Sequence, residues 1–315
     1  MRKLLLITLF ITSLYSSYIM PIAKYKSSGS VIDIIVKDTK LYSATSAGVV
    51  DIFDIKTRKI IKQIKVPKIK DFMGDNINSK IFSIDILHQK ILILSQAPRG
   101  YRNLFINVNN KNKNIINETD MLAISKAKFL DKDTLILALL SNEIISFDIK
   151  TKKENWRMQA SGAKFSNFIL NEDKSEVVIA DESGDLKIIN TKNGKLIKLL
   201  SGQNLDNVFQ VDYKNGIILT AGQDRRAVVY AVKFNSAYYK QSHFLIYSAG
   251  LSPSGKLAAY ASDENNNVTL FNTITQKVIA KYGGNRMTLT NILFLNEKEF
   301  FVASDDRTIN LYKIK

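Results

Sequence analysis

The residues best equipped for chemistry are cations and carboxylates that recur in short polar turns between apolar strands. In chain order they are Arg99, Tyr101 and Arg102, then Asn142 and Glu143, Asp181 and Glu182, Asp224, Arg225 and Arg226, Asp263 and Glu264, and finally Asp305, Asp306 and Arg307. Guanidinium groups such as those of Arg102, Arg225, Arg226 and Arg307 can clasp a carboxylate or a small anion with paired hydrogen bonds. A tight turn has no need of them, which makes them candidates for contact with a partner. The carboxylates have a plainer reading. Asp in a tight turn accepts hydrogen bonds from its own backbone, so Asp181, Asp263 and Asp305 are expected to be turn formers. Asp305 beside Asp306 suggests a general acid–base pair or a calcium site, but neighbours on one turn seldom aim at one atom.

Other chemistries are poorly supplied. The chain has no cysteine, which excludes disulfides, thiolate metal sites and cysteine nucleophiles. Its two histidines are His88 and His243, too few for a histidine-rich metal site. No glycine-rich phosphate loop, G-x-S-x-G elbow or zinc spacing occurs. The expectation is a protein that is not an enzyme, with no catalytic residue, metal ligand or cofactor.

The elements that must position these turns form a repeat. A short apolar strand runs into a polar turn, a second strand, a Lys/Thr/Asn turn and a third strand. The phrase is legible in LYSATSAGVVDIFDIKTRKIIKQI (41–64), LILALLSNEIISFDIKTKKENWRM (135–158) and VVIADESGDLKIINTKNGKLIKLL (177–200), and it returns at 257–282 and 300–315. The polar turns near Ser46, Ser95, Ser141, Asp181, Gln223, Asp263 and Asp305 are spaced by 40 to 49 residues. Several strands per repeat at that period predict an all-β propeller of four-stranded antiparallel blades.

Seven blades are read, at 31–66, 81–117, 122–160, 164–200, 207–241, 244–283 and 289–315. The last contains only three strands. The missing one is found through likeness: PIAKYKSSGSVIDIIV (21–36) resembles VIAKYGGNRMTLTNILFL (278–295), where IAKY is an outer strand leading into the next blade. Strand 22–25 should therefore complete the C-terminal blade and close the ring, since an incomplete blade leaves an unpaired edge. Six blades and a spare hairpin are the competing count. Trp156, the only tryptophan, reads as packing between blades.

In a propeller the B–C turns and the D–A connections emerge on one face, so the polar turns should gather there. Two segments on that face break the repeat. PKIKDFMGDNINSK (67–80) is the longest D–A connection and carries Lys70, Asp71, Phe72, Met73 and Asp75; APRGYRN (97–103) carries Tyr101 and Arg102. An apolar pair on a long loop over a rigid scaffold is a usual form of recognition element. The alternative for Phe72 is a plug between blades one and two.

The N-terminus begins with Arg2 and Lys3, continues with an apolar run from Leu4 to Leu14, and reaches the small residues Ser16 and Ser17. That pattern reads as a secretory signal peptide over 1–17, and its run is about half the length of a membrane-spanning helix. The propeller then occupies 21–315 of an exported, periplasmic protein with no membrane span after cleavage; an uncleaved anchor is the other reading. The net charge of +16 comes from 45 basic residues, of which 36 are Lys scattered through strand ends and turns. It points to solubility and long-range steering, not to nucleic acid.

IKDFMGDNINSKIFSIDIL (69–87), SQAPRGYRNLFI (95–106) and SKAKFLDKDTLILALLSNEI (125–144), in an exported WD-like propeller without cysteine, resemble the NapL family, accessory proteins found with periplasmic nitrate reductase systems. The resemblance implies a non-catalytic part in maturation or activity of the reductase, and a periplasmic protein partner: the reductase or one of its maturation factors. It brings no catalytic residues with it. Two of its segments contain the repeat-breaking loops, so Asp71, Phe72, Met73, Asp75, Tyr101 and Arg102 are expected to form a docking patch. A calcium-dependent lactonase-like propeller and an envelope-assembly scaffold remain as alternatives; such scaffolds carry a lipid anchor on cysteine.

Overall fold

The computed structural model describes residues 18–315; the signal-peptide reading of 1–17 lies outside the described residues. Seven four-stranded antiparallel sheets form the ring, joined by one two-stranded hairpin. The innermost strands are Val31–Lys37, Ile81–Leu87, Ile124–Phe129, Phe165–Leu170, Val208–Lys214, Ala249–Leu251 and Leu289–Asn296. The count of seven holds over six because Ala23–Lys26 pairs antiparallel with Thr308–Lys313, in register from Ala23 opposite Leu311 to Lys26 opposite Thr308. The closing strand lies one residue later than the 22–25 expected from the repeat.

The second strand of each blade explains why the repeat is so audible. Lys40–Thr45, Lys90–Gln96, Thr134–Leu139, Glu176–Asp181, Ile217–Gly222, Leu257–Ala261 and Glu299–Ser304 are buried over nearly their whole length. A strand covered on both faces by neighbouring sheets reads as a continuous apolar run instead of an alternation. The outermost strands are the opposite. Ile60–Lys65, Leu196–Leu200 and Val278–Tyr282 are largely exposed, and lysines punctuate them. Charged Lys on an open edge is a usual guard against pairing with another chain.

The core is a ring of seven layers, one between each pair of adjacent blades. The layer at the closure joins Tyr25, Phe301, Ala303 and Leu311 of the last blade to Val31, Leu41 and Phe53 of the first. Trp156 packs in the layer between blades three and four, and its indole N–H donates to Thr191 O at 3.1 Å. A Cβ on Gly194, whose φ is +69°, would meet the Trp156 ring at 2.7 Å. Glycine is needed there for both space and backbone.

Six inner strands contain a bulge at their second residue, as in the register shift between Val31 and Asp33. A bulge sharpens the local bend and turns the following side chain. The residues after it are polar: Asp33, Ser83, Lys126, Asn167, Gln210 and Asn291. Each reaches the backbone of a neighbouring blade. Asp33 accepts from Ile84 N at 3.0 Å, Ser83 donates to Ala127 O at 3.3 Å, and Lys126 donates to Phe168 O at 2.8 Å. Asn167 donates to Phe209 O at 3.3 Å, Gln210 accepts from Ala249 N at 3.4 Å, and Asn291 donates to Ile32 O at 3.0 Å. The central channel is thus girdled by side chains that tie blade to blade, and Asn291 carries the girdle across the point of closure.

Candidate interaction face

The first repeat-breaking segment folds as a hairpin, Ile69–Lys70 paired with Asn76–Ile77. Asp71 builds its tip: Oδ1 accepts from Met73 N and Asp75 N, both at 2.9 Å. Asp71 N donates to Asp75 O at 3.0 Å, and Gly74 takes the left-handed turn at φ +91°. Ile69 is buried beneath while Phe72 is 96% and Met73 76% exposed. The plug reading of Phe72 is overturned. Its ring stands in solvent on a tip whose conformation is fixed by hydrogen bonds.

The second segment makes a 3-10 turn, Pro98–Gly100, with Arg99 at φ +58°. It sets Arg102 over the Phe82 ring, 4.1 Å from its centre. Arg102 Nη1 donates to Gly100 O at 2.7 Å and Tyr101 O at 3.0 Å. Nε is buried without a partner. No carboxylate pairs with this guanidinium among the described residues, and burial pulls its pKa down. Phe82 is the bulged residue of its inner strand and packs against the layer between blades two and three, so Arg102 caps that layer. Tyr101 is half-buried beside it.

Lys70 and Asp75 are exposed on the hairpin. The hairpin and the 98–102 turn therefore share the sector of the first two blades. The remaining arginines do not join them. Arg225 is exposed at the left-handed corner of the blade-five turn, φ +64°. Arg226 lies 4.2 Å over the Tyr239 ring and donates to Gln203 O at 2.9 Å, so it serves its own blade. Arg307 is exposed on blade seven. An anion clasp drawing on all four arginines is not assembled.

The turn carboxylates act on backbone. Asp263 Oδ1 accepts from Asn265 N at 3.0 Å and Asn267 N at 3.1 Å. On the last turn the former is Asp306, accepting from Thr308 N at 2.7 Å, while Asp305 is exposed; the expectation for Asp305 was one residue off. Glu143 is drawn to Arg157 at 2.9 Å, whose hydrogen bond holds its carboxyl below the ordinary range. No group of three or more His, Cys, Asp or Glu suited to a metal ion is present among the described residues.

Sequence reasoning missed a set of polar locks behind this face. A small polar residue in a D–A connection reaches the second and third strands of the following blade. Asp181 is fully buried and accepts from Lys187 Nζ at 2.7 Å, Ser161 Oγ at 2.8 Å, Asn142 Nδ2 at 2.9 Å and Ser183 N at 2.9 Å. Asp51 accepts from Ser28 Oγ and Gln63 Nε2, both at 2.7 Å. Asn204 links Thr220 at 2.7 Å to the Tyr230 hydroxyl at 2.9 Å, and Asn285 links Asn310 at 2.8 Å to the Tyr312 hydroxyl at 3.1 Å. The one trace in the sequence is a small polar residue ahead of the inner strands of blades one, four, five and seven, Ser28, Ser161, Asn204 and Asn285, which does not by itself name its partners.

Lys126 in the girdle has its pKa pulled down to about 8, first by burial and then by Lys128, against the pull of Asp33, Asp212 and Asp85. Its ordinary value is 10.5. The unfolded chain therefore binds more protons between pH 8 and 10.5, and stability rises with pH in that window. Urea unfolding of the wild type against Lys126→Met should show the wild type gaining relative stability from pH 8 to 10.5. The buried tyrosines are common to both proteins and cancel; a pH-independent difference would contradict the depressed pKa.

No family model matches this chain, nor does any curated protein. Solved structures do match. The β-propeller domain of Myceliophteria thermophila Cps50 (Swd1) superposes with a TM-score of 0.74 at 13% identity, covering 94% of this chain and 99% of that one. Ring, blade count and strand order define a WD-like seven-bladed β-propeller. At that identity the likeness establishes the fold and leaves function to be argued from the site.

Proposed function

We propose that this protein is a non-catalytic docking scaffold, exported to the periplasm, that assists maturation or activity of a periplasmic nitrate reductase. The observation that carries the docking reading is the hairpin tip. Phe72 and Met73 are exposed on a turn held rigid by Asp71, and an ordered apolar projection loses little conformational freedom on binding. Arg102 adds a guanidinium without a carboxylate partner in the same sector, and Arg is favoured at binding hot spots. The charged and amide groups of the girdle and the locks are turned to the protein's own backbone and side chains, as in a frame. The resemblance to NapL supports the choice of system, and the N-terminal pattern supports export.

Deleting the gene should slow periplasmic nitrate reduction or leave the reductase incompletely matured, and a copy encoding Phe72→Ser with Met73→Ser should fail to restore it. An unchanged rate with fully matured reductase in the deletion strain would remove the nitrate-reductase reading. Full rescue by the double variant would remove the hairpin from it.

A further inference from the structure

A further departure from the repeat lies in blade five, on the opposite face. Blades one, three, four and six turn between their third and fourth strands through an Asp or Asn that accepts backbone N–H groups: Asp54 from Thr57 at 2.7 Å, Asp148 from Thr151 at 2.7 Å, Asn190 from Lys192 at 2.9 Å and Asn272 from Thr275 at 2.8 Å. Blade five has Ala231 at that place. Its turn is instead a 3-10 turn, Val232–Phe234, ended by Asn235 in the left-handed region at φ +50°. The wider turn lifts Phe234 to 82% exposure.

The space beneath is a cleft of about 400 Å³ between blades five and six. Ile217, Val229 and Ala231 form its floor and Tyr238 one wall. The Tyr238 hydroxyl is already committed, donating to Thr273 O at 2.6 Å, so that wall offers a ring and no free polar atom. Phe234 and Ile274, the latter 70% exposed, stand at the rim. On the blade-six side Gly255 brings the backbone close: a Cβ there would meet Lys214 O at 2.7 Å, and its φ is +71°. Lys256 follows it, exposed, with no carboxylate partner among the described residues. The two carboxylates bordering this end are turned to backbone, Glu172 accepting from Asn215 N at 2.5 Å and Glu297 from Ser254 N at 2.7 Å. A mostly apolar cleft of a few hundred Å³ with a few polar or charged groups is the usual form of a small-molecule site.

We propose that this cleft binds a small amphipathic carboxylate, its apolar body on Ile217, Val229 and Ala231 under Phe234 and its carboxylate on Lys256. This site is separate from the docking face and does not rest on that reading. Of the polar lining, Asn215 is committed to Ser254 O and Thr273 to Gly255 O, so the volume, the apolar floor and the Lys256 cation together favour this class over a sugar or a nucleotide, which would leave many polar groups unpaired against Val and Ile.

Titration of the full protein with dodecanoate below its micelle concentration, followed by calorimetry, should give saturable one-to-one binding. Lys256→Glu should weaken it about tenfold or more, the worth of one charge-assisted hydrogen bond. Phe234→Ser, on an exposed rim where folding is not at stake, should weaken it severalfold, and dodecylamine should bind more weakly than dodecanoate. Absence of saturable binding, equal binding by both variants, or equal affinity for dodecylamine would each overturn the proposal. So would a concentration-dependent dimer abolished by Phe234→Ser, which would assign the cleft to a second copy of the chain.

Discussion

Replacing Tyr25 by alanine should lower the free energy of unfolding by about 3–5 kcal/mol, the range for deleting a large buried aromatic ring. Tyr25 is fully buried in the strand that closes the ring. Its ring meets Phe53 of the first blade and Phe301 of the last edge-on, each at 5.6 Å between centroids, and its hydroxyl donates to Ile55 O at 2.8 Å. The side chain therefore holds the two ends of the chain against one another as well as filling the closing layer. Urea unfolding followed by far-ultraviolet circular dichroism measures the loss. Tyr25→Phe keeps the ring and leaves Ile55 O without its donor, so it should lose only about 1 kcal/mol. Deleting residues 18–26 goes further, because Thr308–Lys313 becomes an unpaired apolar edge. That protein should associate in size-exclusion chromatography. Wild-type stability in Tyr25→Ala would mean that the ring does not close through this strand.

The difference in legibility between this closing strand and the locks has a physical origin. The buried second strands, LYSAT, LILAL, VVIAD and FFVAS, announce themselves because both faces are covered and local composition suffices. The closing strand was legible by likeness: IAKY before blade one repeats IAKY before blade seven, so a contact spanning the whole chain was encoded twice. Asp181 had no such mark. An aspartate at the end of a strand looks like a turn former, and it is one, since Ser183 N donates to it. Its ion pair with Lys187 closes within the blade-four hairpin, but its bonds to Asn142 and Ser161 depend on how blade three lies against blade four, which no local pattern carries. The girdle residues were hidden for a related reason: Asp33 and Lys126 look like ordinary alternation until the bulge before each turns it toward the next blade. Phe72 was ambiguous because a ring on a loop is equally suited to plug or to project. The hydrogen bonds that Asp71 accepts from Met73 N and Asp75 N decided it, and they required the fold of the tip.

Asp181→Asn should destabilise the protein by about 3–5 kcal/mol, because removing one member of a buried ion pair leaves the other charge uncompensated. Lys187 is 7% exposed and Asp181 fully buried, so water cannot take the place of the lost partner. The reverse change, Lys187→Met, should be milder. Asp181 would keep Ser161, Asn142 and Ser183 as donors, and hydrogen bonds alone can hold a carboxylate ionised. Combining the two should restore part of the loss, since neither charge then remains buried alone. A double-mutant cycle in urea reads this directly, and simple additivity would show that the pair is not coupled. The pH dependence gives a second test. Burial pushes the Asp181 carboxyl up, but Lys187, Ser183 and Ser161 outweigh it, and the net pKa lies below the ordinary 3.8. A depressed carboxylate contributes stability that is present above its unfolded pKa and is lost as pH falls through the folded one. Wild type should therefore lose stability on acidification below about pH 4 more steeply than Asp181→Asn, and parallel acid limbs would remove the ion pair from the account.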